Sequence, residues 1–169
     1  CGDHCANFLI ENFSNVFDNH INSSVDSKSI TTCLETTFAQ LDSDYLVKAV
    51  AEQIPSGSTL MVALFFHEDQ TLQCVIAHVG DCRAVISSDN SSALPLTSDH
   101  KPDRADEQIR LRKSGGRVVN VSGIWRVFTP NVVSVGGRTL QWGLAVSRAF
   151  GDLALKRPIE IVSAVPEIV

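Results

Sequence analysis

Residues 57–87, GSTLMVALFFHEDQTLQCVIAHVGDCRAVIS, decide how the fold is read. Leu60 to Phe66 and Thr71 to Val79 are rich in β-branched and aromatic side chains, and His67-Glu68-Asp69-Gln70 between them is a connection of hairpin length. Both runs are nearly continuously apolar instead of alternating, which predicts strands covered on both faces or lying in a sandwich core. The second run ends at Gly80-Asp81-Cys82-Arg83, where a glycine turn delivers a carboxylate and a guanidinium to a strand end. Chemistry concentrates at such places because a rigid strand aims the groups and a loop exposes them.

Upstream of this stretch the apolar period changes to that of helices. Ala6, Leu9, Ile10, Phe13, Val16 and Phe17 predict an amphipathic helix of about three turns ending before Asp18-Asn19-His20. Residues 18–29 are polar and serine-rich, a loop. Ile30, Cys33, Leu34, Phe38 and Leu41 predict a second helix with Ser29 as N-cap, interrupted by Asp42-Ser43-Asp44, with a turn or two more from Tyr45 to Gln53. The two helices are expected to pack on one face of a sheet.

Downstream, Ala84 to Ser87 and Ala93 to Leu96 predict short strands that extend the hairpin into an antiparallel meander. A third helix starts at Pro102, carries Asp103, Asp106 and Glu107 early and Arg110, Arg112 and Lys113 late, and stops at Gly115-Gly116, matching the helix dipole at both ends. Val118 to Val121, Ile124 to Phe128 and Val132 to Val135 predict further strands, with breaks at Ser122-Gly123 and Gly136-Gly137. Leu144 to Asp152, LAVSRAFGD, shows no clear period, and the segment ending in Val165-Pro166-Glu167-Ile168-Val169 reads as an extended tail.

With 169 residues, 44% hydrophobic and 20% charged, the chain is expected to form one soluble globular domain. A net charge of -5 provides no basic footprint for nucleic acid, and no apolar run reaches the length of a membrane span. The five cysteines, at 1, 5, 33, 74 and 82, are odd in number and lack framework spacing, so they are expected to be reduced thiols of an intracellular protein. Cys1, His4 and Cys5 lack a second ligand pair for zinc. Asn-x-Ser sequons at Asn12, Asn22, Asn90 and Asn120 would matter only in a secreted chain.

The candidate chemistry is sparse. Asp81 suits a hard divalent cation such as Mg²⁺ or Mn²⁺, or else it pairs with Arg83 or closes a turn. Asp99-His100-Lys101-Pro102 is either a polar site edge or a helix N-terminus capped near Asp99. Arg126, between Trp125 and Val127, either reaches a phosphate or covers apolar surface with its stem. The cysteine-phosphatase loop, the nucleotide-binding glycine loops and the serine nucleophile elbow are absent.

Four stretches together resemble the metal-dependent serine/threonine protein phosphatases of the PPM (type 2C) family: Gly57-Ser58-Thr59, Val79 to Val85 (VGDCRAV), Leu96 to Gly116 (LTSDHKPDRADEQIRLRKSGG) and Leu144 to Asp152. Val162 to Glu167 resembles that family's next element, so the likeness covers residues 1–169 as a partial catalytic domain. The resemblance implies an α+β fold, an αββα sandwich of two antiparallel sheets each flanked by a helix pair. It implies hydrolysis of phosphoserine and phosphothreonine in proteins by a water activated between two divalent ions, Mg²⁺ or Mn²⁺, without a phosphoenzyme. Asp81 resembles a ligand of a peripheral third ion, and Arg126 resembles an arginine that binds substrate phosphate.

The family's Asp-Gly-His is expected just before Cys1, and its later aspartate motifs beyond Val169, so no catalytic residue and few metal ligands are expected within the chain. Arg148 and Asp152 are expected to give structural support. The rival expectation is a pseudophosphatase that binds proteins and has lost its metal. Phosphoprotein substrates, a monomeric state and a cytoplasmic or nuclear location are the remaining expectations, with residues 129–142 as a possible specificity insertion.

Overall fold

The computed structural model describes residues 2–21, 26–88, 92–130, 133–135, 138–140 and 143–169. Its elements run α1 (His4–His20), α2 (Ser27–Glu52), β1 (Gly57–Ser58), β2 (Leu60–Glu68), β3 (Thr71–Val79), β4 (Val85–Ser88), β5 (Ser92–Pro95) and α3 (Ala105–Lys113). They continue with β6 (Arg117–Val121), β7 (Ile124–Phe128), β8 (Val133–Val135), β9 (Arg138–Leu140), β10 (Gly143–Leu144), β11 (Phe150–Gly151), a 3₁₀ turn (Leu153–Leu155) and β12 (Glu167–Ile168). The helices and antiparallel sheets make the α+β architecture expected from the sequence.

α1 and α2 lie side by side over one face of the β12-β3-β2 sheet. Leu60, Val62, Leu64 and Phe66 of β2 and Val75, Ala77 and Val79 of β3 meet Cys5 and Leu9 of α1 and Leu34, Phe38 and Leu41 of α2. Full burial of a Val, Leu or Phe side chain, as at Leu34, Phe38 and Leu41, contributes about 1.5–3 kcal/mol of transfer free energy, and the partly buried β2 side chains contribute less. A second core joins Leu111 of α3 to Val127 of β7, Val146, Ala149, Leu155, Ile161 and Val162. Among the described residues only the first sheet carries a helix pair; α3 packs by itself on the second core, next to the β10-β7-β6 sheet.

The hairpin holds, but its turn is shorter than its polar residues suggest. The β2–β3 ladder continues to Glu68↔Thr71, leaving only Asp69 and Gln70, both at positive φ (48° and 63°), as the loop. That backbone hand matches the right-handed twist of the strands, as in a type I′ turn. His67 and Glu68 are polar because they end a ladder near solvent, and Glu68 accepts from the Ser27 hydroxyl at 2.5 Å at the start of α2. Two-faced burial is confined to Val75–Val79; β2 alternates, and Phe65 is 69% exposed.

The expected meander is corrected. β3 pairs with β2 on one side and β12 on the other, while β4 and β5 form a separate hairpin. Two short polar-rich strands attract no particular partner by pattern alone, whereas Glu167↔His78 and Ile168↔Ala77 register β12 on the buried half of β3.

The expected break in α2 is also corrected. The helix runs unbroken for 26 residues because the Asp42 side chain points inward, where Oδ1 accepts Gly151 N–H at 2.9 Å and Oδ2 accepts Lys156 Nζ at 2.5 Å. Its N-cap is Asp26, which accepts the Ser29 N–H at 2.8 Å, so Ser29 lies one turn inside. α1 extends through Asp18-Asn19-His20, with His20 in the last turn where the dipole favours it, and Ile10 is exposed instead of core-facing. Pro102 precedes α3 by a turn. Cys1, residues 22–25 with the Asn22 sequon, residues 89–91 with Asn90, and Gly136-Gly137 lie outside the described residues, as does part of the 129–142 insertion.

Candidate functional site

The stretches singled out by sequence converge in space. β1 pairs with β11, setting Gly57 opposite Gly151 and Ser58 opposite Phe150, so the GST stretch lies along LAVSRAFGD. Thr59 Oγ1 accepts from the Cys82 thiol at 3.1 Å, and a Cβ at Gly80, where φ is +93°, would fall 2.1 Å from the Thr59 methyl. Glycine at 80 is therefore required both by backbone conformation and by contact. Arg148 bridges to Ser163, and its guanidinium donates to the Val165 carbonyl at 2.9 Å.

The Gly80–Arg83 turn is docked on Asp99–Lys101 by three residue pairs. His100 sits centrally, 0% exposed, and its backbone N–H donates to the Gly80 carbonyl at 3.0 Å while its Nδ1 accepts the Gly80 N–H at 3.1 Å. On one flank Arg83 binds Asp99 bidentately at 3.0 and 2.8 Å, and this contact holds the Asp99 carboxyl below its ordinary range. On the other flank Lys101 Nζ donates to Asp81 Oδ2. Two of the sequence alternatives are corrected: Asp81 pairs with Lys101 and not Arg83, and Asp99 holds the turn's arginine and does not cap α3.

Behind the turn the groups are sealed. Glu107 of α3 is 1% exposed and receives Arg148 at 2.8 and 3.1 Å and Arg110 at 2.8 Å. Burial alone would raise its carboxyl, but the hydrogen bonds from the two arginines outweigh it and hold the group well below the carboxylate range. Burial pushes the Cys5 thiol up to about 12, so it is no nucleophile, and burial lifts the Asp152 carboxyl to about 6 against the pull of Lys156.

His78, His100 and Glu167 bring three donor atoms within 4.8 Å of one another, the spacing of a metal triad. The chemistry of the donors argues against that role. With Nδ1 occupied by Gly80 N–H, neutral His100 carries its proton on Nε2, the atom facing Glu167 Oε2 at 3.3 Å. Arg104 donates to the same carboxylate at 2.7 Å. Burial first, then the positive field of Arg148 with His78 and Arg104, pushes His100 down to about 4. Two neutral imidazoles meet one carboxylate here: His78 stacks on His100 at 4.5 Å with both of its ring nitrogens buried and unpartnered, and Glu167 of β12 reaches His100.

Asp81 lies just past the end of β3. Its carboxylate is 38% exposed, and the Lys101 ammonium resting on it demonstrates that its outer oxygen accepts positive charge. A hard oxygen donor at a strand end fits Mg²⁺ or Mn²⁺. Arg126 stands elsewhere in the fold, on β7, where its Nη1 donates to the Gly143 carbonyl at 3.0 Å and ties β7 to β10. Sequence reasoning named Lys101 only as part of the Asp99–Pro102 stretch and Glu107 only as a helix-dipole acid, and it passed over His78. The available signals were a histidine within the apolar run Val75–Val79 and an acid three residues before Arg110 on a helix.

The residue profile of the family described as Protein phosphatase 2C matches residues 1–169. The Arabidopsis thaliana protein named "Probable protein phosphatase 2C 11" is 37% identical over 155 residues, covering 92% of this chain and 36% of that protein. The Bos taurus protein named "Protein phosphatase 1L" is 33% identical over 140 residues, covering 83% and 34%. A solved Caenorhabditis elegans sex-determining protein superposes with a TM-score of 0.77 at 26% identity, over 99% of this chain and 36% of that one. A serine-threonine phosphatase 2C from Toxoplasma gondii gives 0.74 at 19% identity, over 99% and 59%. The chain belongs to the protein phosphatase 2C family, and it spans little more than a third of the length of these curated relatives.

Proposed function

We propose that the protein containing these residues removes phosphate from phosphoserine and phosphothreonine in protein substrates, with Mg²⁺ or Mn²⁺ as cofactor. The observation that carries this reading is the family match over residues 1–169, joined to the docking of Gly80–Arg83 on Asp99–Lys101, which leaves the Asp81 carboxylate accessible. When bound, the ions supply an activated water and charge stabilisation at the phosphoryl group.

Within this chain Asp81 is the proposed ligand of a peripheral ion. His100, Arg83 and Asp99 position the turn that carries it. Arg126 is the proposed partner of substrate phosphate, its guanidinium oriented by the Gly143 carbonyl. Ser147 and Cys82 have no nucleophilic part in this reading, since water attacks. A cytoplasmic or nuclear location and a monomeric state accompany it. Among the described residues no helix is long and apolar enough to cross a membrane.

The test is turnover of a phosphothreonine peptide. The full-length protein is expected to show Mn²⁺-dependent release of phosphate, and residues 1–169 alone none; robust activity from the isolated residues would overturn the division of ligands proposed here. Asp81→Asn in the full-length protein is expected to shift the metal-dependence curve to higher Mn²⁺, and Arg126→Ala to raise KM more than it lowers kcat.

A further inference from the structure

We propose that Lys101 is a built-in counter-cation of Asp81, so that a divalent ion reaches this carboxylate only by expelling the lysine side chain. The inference rests on the reading of Asp81 as a metal ligand given above.

Four observations carry it. Lys101 Nζ sits on Asp81 Oδ2, placing a positive charge directly on the carboxylate. The neighbouring carboxylate, Asp99, is occupied on both oxygens by Arg83 and offers Lys101 no equal alternative. The Lys101 backbone is fixed, its N–H donating to the Asp99 carbonyl at 2.9 Å and its carbonyl accepting Arg104 N–H at 3.1 Å, so exchange needs only side-chain motion. An open groove of about 540 Å³, lined by Lys101 together with Arg83, Thr97, Asp99 and Arg104, lies beside the pair and can receive the displaced ammonium.

Lys101 and Asp81 are 39% and 38% exposed, so their ion pair is weak and its replacement by a divalent ion is not prohibitive. Both cations want the same oxygen. Binding at Asp81 and release of Lys101 are then linked reciprocally: an ion frees the amine, and neutralising the amine favours the ion. Lys101 becomes the position at which acylation would tune metal affinity without touching a ligand.

The experiment uses the full-length protein and Mn²⁺ alone as probe. Mn²⁺ binding is followed calorimetrically in the wild type, Lys101→Met and Asp81→Asn, and the rate of trace acetylation at Lys101 is followed by mass spectrometry as Mn²⁺ is added, with Lys48 on α2 as internal reference. Lys101→Met is expected to tighten the weakest Mn²⁺ site roughly two- to fivefold, the scale of an exposed ion pair. Mn²⁺ is expected to accelerate acetylation at Lys101 by a similar factor and leave Lys48 unchanged, while Asp81→Asn makes Lys101 fast and indifferent to Mn²⁺. If Asp81→Asn abolishes the weak site but Lys101→Met leaves its affinity unchanged and Lys101 acetylation stays flat with Mn²⁺, the counter-cation role is overturned. If Asp81→Asn binds Mn²⁺ as the wild type does, the ligand reading itself falls, and this inference with it.

Discussion

His100 grips Gly80 through two bonds, Nδ1 accepting its N–H at 3.1 Å and the His100 N–H donating to its carbonyl at 3.0 Å. The side chain thus reads backbone atoms 20 positions away in sequence. Replacing His100 by Ala leaves a buried N–H without a partner and opens a cavity beside His78, for a loss of about 2–4 kcal/mol. Asn can offer an acceptor where Nδ1 stood, so His100→Asn is expected to lose less than half as much. Urea unfolding of both variants checks the ordering; equal losses would show that packing, not the bond to Gly80, sets the cost.

The same histidine predicts a pH dependence. Its folded value of about 4 lies below the ordinary 6.5, so between these limits the unfolded chain binds the extra proton. Stability from this group is complete above about pH 6.5 and is lost as pH falls towards 4. Asp152, lifted to about 6, acts in the opposite sense over part of that window, since its ionisation is what folding disfavours. The check is therefore a difference: wild type minus His100→Asn, by thermal melts from pH 7.5 to 4, should shrink as pH drops through the window.

Asp42 and Lys156 form a buried pair at 2.5 Å, and Asp42 also holds Gly151 N–H. Asp42→Ala strands the lysine charge and is expected to cost about 3–5 kcal/mol. Lys156→Met in that background is expected to restore a large part of the loss. A double-mutant cycle measures the coupling, and additivity would mean the two do not share one energy.

Glu107 answers to Arg148 and Arg110 at once. Glu107→Ala leaves both guanidiniums short of an acceptor, with an expected loss of about 3–5 kcal/mol, while Glu107→Gln keeps one acceptor and should lose less. Since the carboxyl is held below its ordinary value, its contribution is present at neutral pH and disappears only in acid, below about 4.5. Chemical unfolding of both variants at pH 7 tests the order.

The elements whose causes are local were legible in the sequence. The β2–β3 hairpin followed from its apolar runs, and α3 from acids at its start, bases at its end and the two glycines after it. Asp42 misled because an acid in a helix pattern reads as exposed or as a break; its partners, Gly151 and Lys156, lie 109 and 114 residues on. The position of Asp81 at a strand end was legible, but its partner was not. Arg83 stands two residues away and looks the natural mate, yet each of the two finds an opposite charge across the docked segment, Asp81 in Lys101 and Arg83 in Asp99. Pairings of that kind are properties of the tertiary fold, and periodicity carries no trace of them.

The edge of β3 is closed by β12, with Glu167 opposite His78, 89 positions later in the chain (167 − 78). At the ~5–20 residues per second of synthesis, that edge waits roughly 4–18 s on the ribosome before its covering strand exists. Until then the nascent chain presents an unpaired strand edge ending in Ala77-His78-Val79. Whatever shields nascent strands in the cell has to cover that edge for the whole interval.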